Sequence, residues 1–385
     1  MRVRVSCGRS IASVAAVAGS ILTVTSSASA QVVAPTFAAN YSLVNLGTPP
    51  GVPAQLGGVV MATRNIMLIG GAANGGSGAI YQINVVRNAQ GSITGFDGVA
   101  TQLSTAPGID GGLFFFPNGS LGFTTFSGNQ IGQVLEGAST PARFTALSDL
   151  GVAASTGTAT VIPEGLPNAG KLIIGSYSSS EWYIAPITPD PGAPGLYTIG
   201  VPTLPARFTG GGPEGIVYVP TNSPQFETPS VLLSLYGAGV VRAYRIDADS
   251  LPIVSTGVDF VTGLSGAEGG ALDPWTNDFI FSTFGSGNRV IIVRGFGAPT
   301  SAPPCNAADI ADDRGIILPT YSVNNGLTEG DYNAFFSGYF DALRYCDIAG
   351  DSGTPLPPFG PIGQINNGVT EGDYNLFFSI YFNGC

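Results

Sequence analysis

Between residues 31 and 297 the apolar positions come in short runs closed by Gly, Pro, Asn or Ser, with no stripe at helical spacing. That pattern predicts an all-β region, and it recurs at roughly fifty residues, the range of β-propeller blades. A first strand, small and apolar, usually stops at proline: 112–117, 160–163, 215–220 and 270–274, with 58–63 as a copy lacking the proline. After a turn comes a second strand at 65–70, 120–126, 171–177, 230–237 and 278–285. The third lies at 79–86, 130–137, 181–187, 240–247 and 289–296, and fourth strands fit 98–104, 143–150, 206–210 and 258–264. The proline-rich stretches 186–194 and 220–229 fall between strands of one repeat and read as loops.

The last copy has no fourth strand, while the segment before the first copy, 40–47, carries a strand pattern with no repeat of its own. In a propeller that segment completes the final blade and closes the ring, removing the exposed sheet edges. The count then closes at five blades. Six blades with one degenerate copy and an array of β-sandwiches are the alternatives.

The pattern changes after residue 304. The stretch NNGLTEGDYNAFFSGYF at 324–340 returns as NNGVTEGDYNLFFSIYF at 366–382, and Asp-Ile-Ala at 309–311 returns at 347–349. Tyr332, Phe335, Phe336, Tyr339 and Phe340 fall at i, i+3, i+4, i+7 and i+8, as do their counterparts from Tyr374 to Phe382. The spacing predicts one short helix per copy with an aromatic face. A lone helix of that length is marginal in water, so the two copies are expected to bury their faces against each other. Residues 298–304, rich in Pro, Ala and Ser, read as a semi-extended linker.

Residues 1–30 have the basic start, apolar stretch and Ala28-Ser29-Ala30 site of a signal peptide, so an exported, extracellular or cell-surface protein is expected. No segment is apolar and long enough to span a membrane as a helix. The net charge is −11, and residues 305–385 hold ten acids against Arg314 and Arg344. Nucleic acid, which needs a basic surface, is excluded as a partner. The absence of histidine excludes Ser-His-Asp and Cys-His catalysis and His-ligated metals. Cys305, Cys346 and Cys385 all lie in the repeat region, and export permits disulfides; a Cys305–Cys346 bond is the expected pairing.

In each C-terminal copy a Thr-Glu-Gly-Asp stretch precedes the helix. One reading is a capping box with Thr328 or Thr370 at the N-cap and Asp331 or Asp373 three residues on. The other, compatible with it because a terminal loop ligand can also cap the helix, is a calcium loop, with Asp309, Asp313, Asn325 and Asp331 as oxygen ligands in the first copy and Asp347, Asp351, Asn367 and Asp373 in the second. At these residues the chain resembles a dockerin, the duplicated calcium-loop-and-helix module of secreted bacterial proteins. The GC-type dockerin-like domain that ends exported planctomycete proteins is the closer likeness. The resemblance covers residues 305–385 and implies calcium binding and a cell-surface or cohesin-like docking partner. Ala311 and Ala349 stand where an ordinary dockerin loop has an oxygen ligand, and Pro/Gly-rich insertions split each loop.

Three first strands are preceded by an acidic signature: Asp110-Gly111-Gly112, Glu214-Gly215 and Glu268-Gly269-Gly270. First strands line a propeller's axis, so these carboxylates are expected to converge. They would then form a cation site or the acid/base set of a hydrolase, or else accept backbone N–H bonds and hold the blades together. Trp182 and Trp275 are candidate sugar-stacking or packing residues. The stretch 268–285 resembles the late blade of secreted NHL-like propellers, which bears on fold alone. Two functions follow: a surface-attached propeller binding a glycan or protein ligand, or a carbohydrate-active hydrolase or lactonase-type enzyme working through the channel acids.

Overall fold

The computed structural model describes residues 31–384 except 89, 208–210, 286, 298–305, 312–314, 316, 318–325 and 357–367. The proposed signal peptide, residues 1–30, and the linker lie outside the described residues.

Antiparallel sheets form five blades. Blade 1 runs Val59–Met61, Ile66–Gly71, Ala79–Arg87, Ile93–Thr105, and blade 2 runs Ile109–Phe115, Leu121–Thr125, Gln130–Val134, Arg143–Ala146. Blade 3 runs Thr156–Val161, Leu172–Ser176, Glu181–Ala185, Thr203–Arg207. Blade 4 comprises Pro213–Tyr218, Ser230–Leu235, Val240–Arg245 and Val258–Thr262; blade 5 comprises Ala267–Leu272, Phe279–Thr283 and Val290–Arg294. The middle strands are buried on both faces, which explains runs such as Leu172-Ile173-Ile174 instead of strict alternation. Each pair of neighbouring blades encloses its own apolar cluster, and five such clusters complete the circle.

The ring closes as expected. Ser42–Gly47 pairs antiparallel with Val290–Arg294, Leu43 opposite Val293 and Asn45 opposite Ile291, and supplies the fourth strand of blade 5. A further strand was not anticipated: Val32–Val33 pairs with the outer strand of blade 4, Val32 opposite Thr262. Between the two, Phe37 and Tyr41 sink into the cluster of blades 4 and 5, and the Tyr41 hydroxyl donates to the Pro224 carbonyl at 2.6 Å. The N-terminal segment therefore clasps two blades.

Two other expectations need correction. First strands begin about three residues earlier than the pattern suggested, because the Gly-rich acidic signatures are themselves strand. The stretch after Pro186 is not a plain loop: Ile187–Pro189 and Tyr197–Ile199 form a hairpin. Gln133 of blade 2 holds it, donating from Nε2 to the Tyr197 carbonyl and accepting the Tyr197 N–H at Oε1.

Beyond the propeller, α1 (Glu329–Tyr339) and α2 (Glu371–Tyr381) pack against each other, with Phe335 and Phe377 stacked at 3.9 Å. The pairing is reciprocal: the Tyr339 hydroxyl donates to the Thr370 carbonyl and the Tyr381 hydroxyl to that of Thr328. The other copy covers Phe335 and Phe377, but Phe340 and Phe382, expected to end each buried aromatic row, lie at the helix C-caps and stay 77% and 69% exposed.

Candidate functional site

The three channel acids meet. Asp110, Glu214 and Glu268 occupy the same place in the inner strands of blades 2, 4 and 5, where blade 3 has Gly157 and blade 1 has Gly57. One oxygen from each carboxylate lies within 4.8 Å of the others, and the residues are 0%, 3% and 1% exposed. The following glycines make this possible. A Cβ on Gly111 would stand 2.0 Å from the Glu214 carbonyl oxygen across the axis, and one on Gly215 would stand 2.5 Å from that of Glu268. The inner strands thus touch backbone to backbone just past the acids, closing the channel on that side.

Backbone N–H groups serve these carboxylates sparsely: that of Gly111 approaches Asp110 and Glu214, and most of the oxygens are left without a partner. Both oxygens of Asp110, Oε2 of Glu214 and both oxygens of Glu268 are buried with no donor at hydrogen-bonding geometry among the described residues. No ion pair among those residues reaches them. Burial pushes the Asp110 carboxyl up to about 8, while neighbouring Glu214, Gly111 and Asn74 draw it partway back. Glu214 and Glu268 are raised well above the carboxylate range, first by burial and then by the charge of Asp110. An unpaired buried charge is costly, so three acids here must either hold protons or surround a cation. The spacing suits the second option, because two oxygens on one calcium ion at 2.3–2.6 Å lie no more than about 5 Å apart. Asn74 lies beside Asp110, and its Oδ1 is buried without a donor among the described residues.

No protein-family profile and no curated protein matches the chain. Solved structures similar to it include the PQQ domain of pyranose dehydrogenase from Coprinopsis cinerea, at 10% identity and TM-score 0.39, covering 69% of this chain and 97% of that one. An auxiliary nutrient binding protein from Bacteroides ovatus is similar at 10% identity and TM-score 0.36, covering 66% and 76% of the two chains. Glutaminyl cyclase from Myxococcus xanthus is similar at 11% identity and TM-score 0.39, covering 67% and 97%. The five-bladed assignment itself rests on the strand pairing.

In the C-terminal pair the terminal aspartates of the candidate calcium loops act as caps. Asp331 Oδ1 accepts the N–H groups of Ile310 and Ala311, and Oδ2 accepts the Thr328 N–H and hydroxyl. Asp373 does the same with Ile348, Ala349 and Thr370. Four donors occupy the roughly four lone-pair sites of a carboxylate. The backbone of the repeated Asp-Ile-Ala fragment supplies two of those donors in each copy. Asp309 is buried, and Asp347 accepts the Gly368 N–H at Oδ2 while its Oδ1 is buried without a donor. Burial, then Asp373, pushes Asp347 up to about 7. Asp351 is exposed. Asp313, Asn325, Asn367 and Cys305 lie outside the described residues, and Cys346 is a buried free thiol.

Neither tryptophan lines the channel. Trp182 is fully buried between blades 3 and 4, and Trp275 packs beneath the Arg87 guanidinium at 5.7 Å. The aromatics near the acids are instead Tyr177, Tyr236 and Phe284, each just past a second strand. Sequence reading missed them, although the repeated endings Thr-Phe126, Ser-Tyr177, Leu-Tyr236 and Thr-Phe284 hold the signal.

Proposed function

We propose that the chain is a binding propeller whose axial mouth holds a divalent cation, calcium by the all-oxygen donor set, between Asp110, Glu214 and Glu268. The observation that supports this is the five buried carboxylate oxygens without a donor. Asn74 and exchangeable waters would bring the shell toward the six to eight oxygens that calcium takes. In this reading the protein is exported and surface-attached, and the paired helices dock it to a cell-surface partner, as their resemblance to a dockerin implies. A calcium role in that pair falls to Asp347 and the neighbouring loop, with Asp331 and Asp373 serving as caps.

Calcium added to the full chain should raise its melting temperature over that in chelator, because a ligand of the folded state stabilises it by mass action. Calorimetry should show one fewer calcium site in the Glu214→Gln/Glu268→Gln double variant. An identical isotherm for parent and variant would contradict the channel site.

A second reading has one observation of its own: a buried acid pushed up to about 8 can hold and deliver a proton at neutral pH. It makes the same mouth the acid/base centre of a hydrolase or lactonase-type enzyme. Turnover of a glycoside or lactone panel that is lost in Asp110→Asn would favour it over binding alone.

A further inference from the structure

The channel acids sit at the floor of an aromatic cup. Four blades place an aromatic residue immediately after the second strand, on the face where the inner strands begin. The backbone N–H of Phe126, Tyr177, Tyr236 and Phe284 bonds in each case to the carbonyl just ahead of the same blade's inner strand, at 2.7–2.9 Å. Blade 1 makes the equivalent bond from Ala72 to Ala54, at 3.2 Å. The ring of Tyr177 lies over Gly212 and that of Tyr236 over Gly266, where an added Cβ would come within 2.3 Å and 2.8 Å of the ring atoms. Those glycines stand two residues ahead of Glu214 and Glu268, so each tyrosine shields the approach to one carboxylate.

The wall is continuous on one side only. Tyr177 and Tyr236 meet edge to face with centroids 6.0 Å apart, and Tyr236 and Phe284 do so at 5.9 Å. All three rings are half-buried. No hydrogen bond among the described residues uses either tyrosine hydroxyl. Both phenols are raised, first by burial and then by the charges of the channel acids, which places them within the cluster's field. On the blade 1 side the equivalent position is Ala72, which carries no ring and stands two residues before Asn74.

The geometry points to a neutral polyhydroxylated ligand, a saccharide ring, that stacks its C–H face on Tyr177 and Tyr236 and directs adjacent hydroxyls to the channel cation. This rests on the cation-site reading. Amphipathic aromatics suit a ligand with one apolar face and a polar edge. Hydroxyl oxygens can replace the waters that complete a calcium shell. Three ionised carboxylates around one divalent cation leave a net negative charge, so uronates, sulfated sugars and phosphates are disfavoured.

The test applies the full chain to an immobilised array of neutral and anionic glycans, in excess calcium and in EDTA, with calcium binding measured separately by calorimetry. Retention on neutral glycans is expected in calcium and not in EDTA. Tyr177→Ala/Tyr236→Ala should weaken it about tenfold or more, the scale of lost aromatic contacts, with the calcium isotherm unchanged. Tyr177→Phe/Tyr236→Phe should keep most of it, since the rings remain. A normal calcium isotherm without retention on any neutral glycan would overturn the ligand class and leave the cation site standing. So would retention that persists in EDTA, that is confined to anionic glycans, or that ignores the alanine variant. A flat calcium titration would instead remove the cation reading, and this inference with it.

Discussion

Deleting residues 31–48 is expected to abolish the cooperative unfolding transition of the propeller. The segment looks dispensable, since it precedes the first repeat, yet it supplies the outer strand of blade 5 and the extra strand of blade 4. Its loss would leave the unpaired edge of Val290–Arg294 open to solvent, and such edges recruit other chains. Phe37 and Tyr41 would also leave the cluster shared by blades 4 and 5, where Phe260, Phe279 and Phe281 are fully buried. Removing one large buried aromatic costs about 3–5 kcal/mol, and a whole domain is stable by only about 5–15 kcal/mol. Differential scanning calorimetry of the truncated chain is the check. A transition within about 2 °C of the parent's, a shift worth only about 1 kcal/mol, would refute the clasp.

The second large effect is a pH dependence that reverses the usual acid lability of carboxylates. Asp110, Glu214 and Glu268 have folded-state values above those of the unfolded chain. The folded state therefore holds more protons than the unfolded chain between about pH 4 and 8, and stability falls as pH rises through that window. In chelator the melting temperature should be higher at pH 5 than at pH 8. Calcium should restore it at pH 8 and do little at pH 5, where protons already occupy the site. The Glu214→Gln/Glu268→Gln variant in chelator should melt higher than the parent at pH 8, by an energy on the order of a few kcal/mol, with a flatter pH profile. Its amides cannot ionise and can donate to Asp110. If the carboxylates instead served as backbone acceptors, the variant would be destabilised at every pH.

Strand content, blade count and closure were legible because both faces of each middle strand are buried. Runs such as Val231-Leu232-Leu233 admit no partly solvated sheet, and the surplus pattern at 40–47 had one vacancy to fill. Convergence of Asp110, Glu214 and Glu268 was legible from their shared phase relative to the inner strands. Their lack of donors was not, because it depends on how close Gly111 and Gly215 let the opposing backbones come. The hairpin after Pro186 was also hidden. Its strands are three residues each, and its stability comes from Gln133, fifty or more residues away in sequence. At the C-terminus the aromatic spacing foretold the helix pair. Which N–H groups Asp331 and Asp373 accept was hidden, because it depends on where the Asp-Ile-Ala backbone lies, which spacing alone does not specify.

The central claim is a cation held by the three channel carboxylates. The most direct measurement is a crystal structure of the full chain grown with excess calcium near pH 8, with anomalous difference density calculated at the axis. A peak is expected about 2.3–2.6 Å from oxygens of Asp110, Glu214 and Glu268. Carboxylates paired to one another, with no peak between them under those conditions, would contradict it.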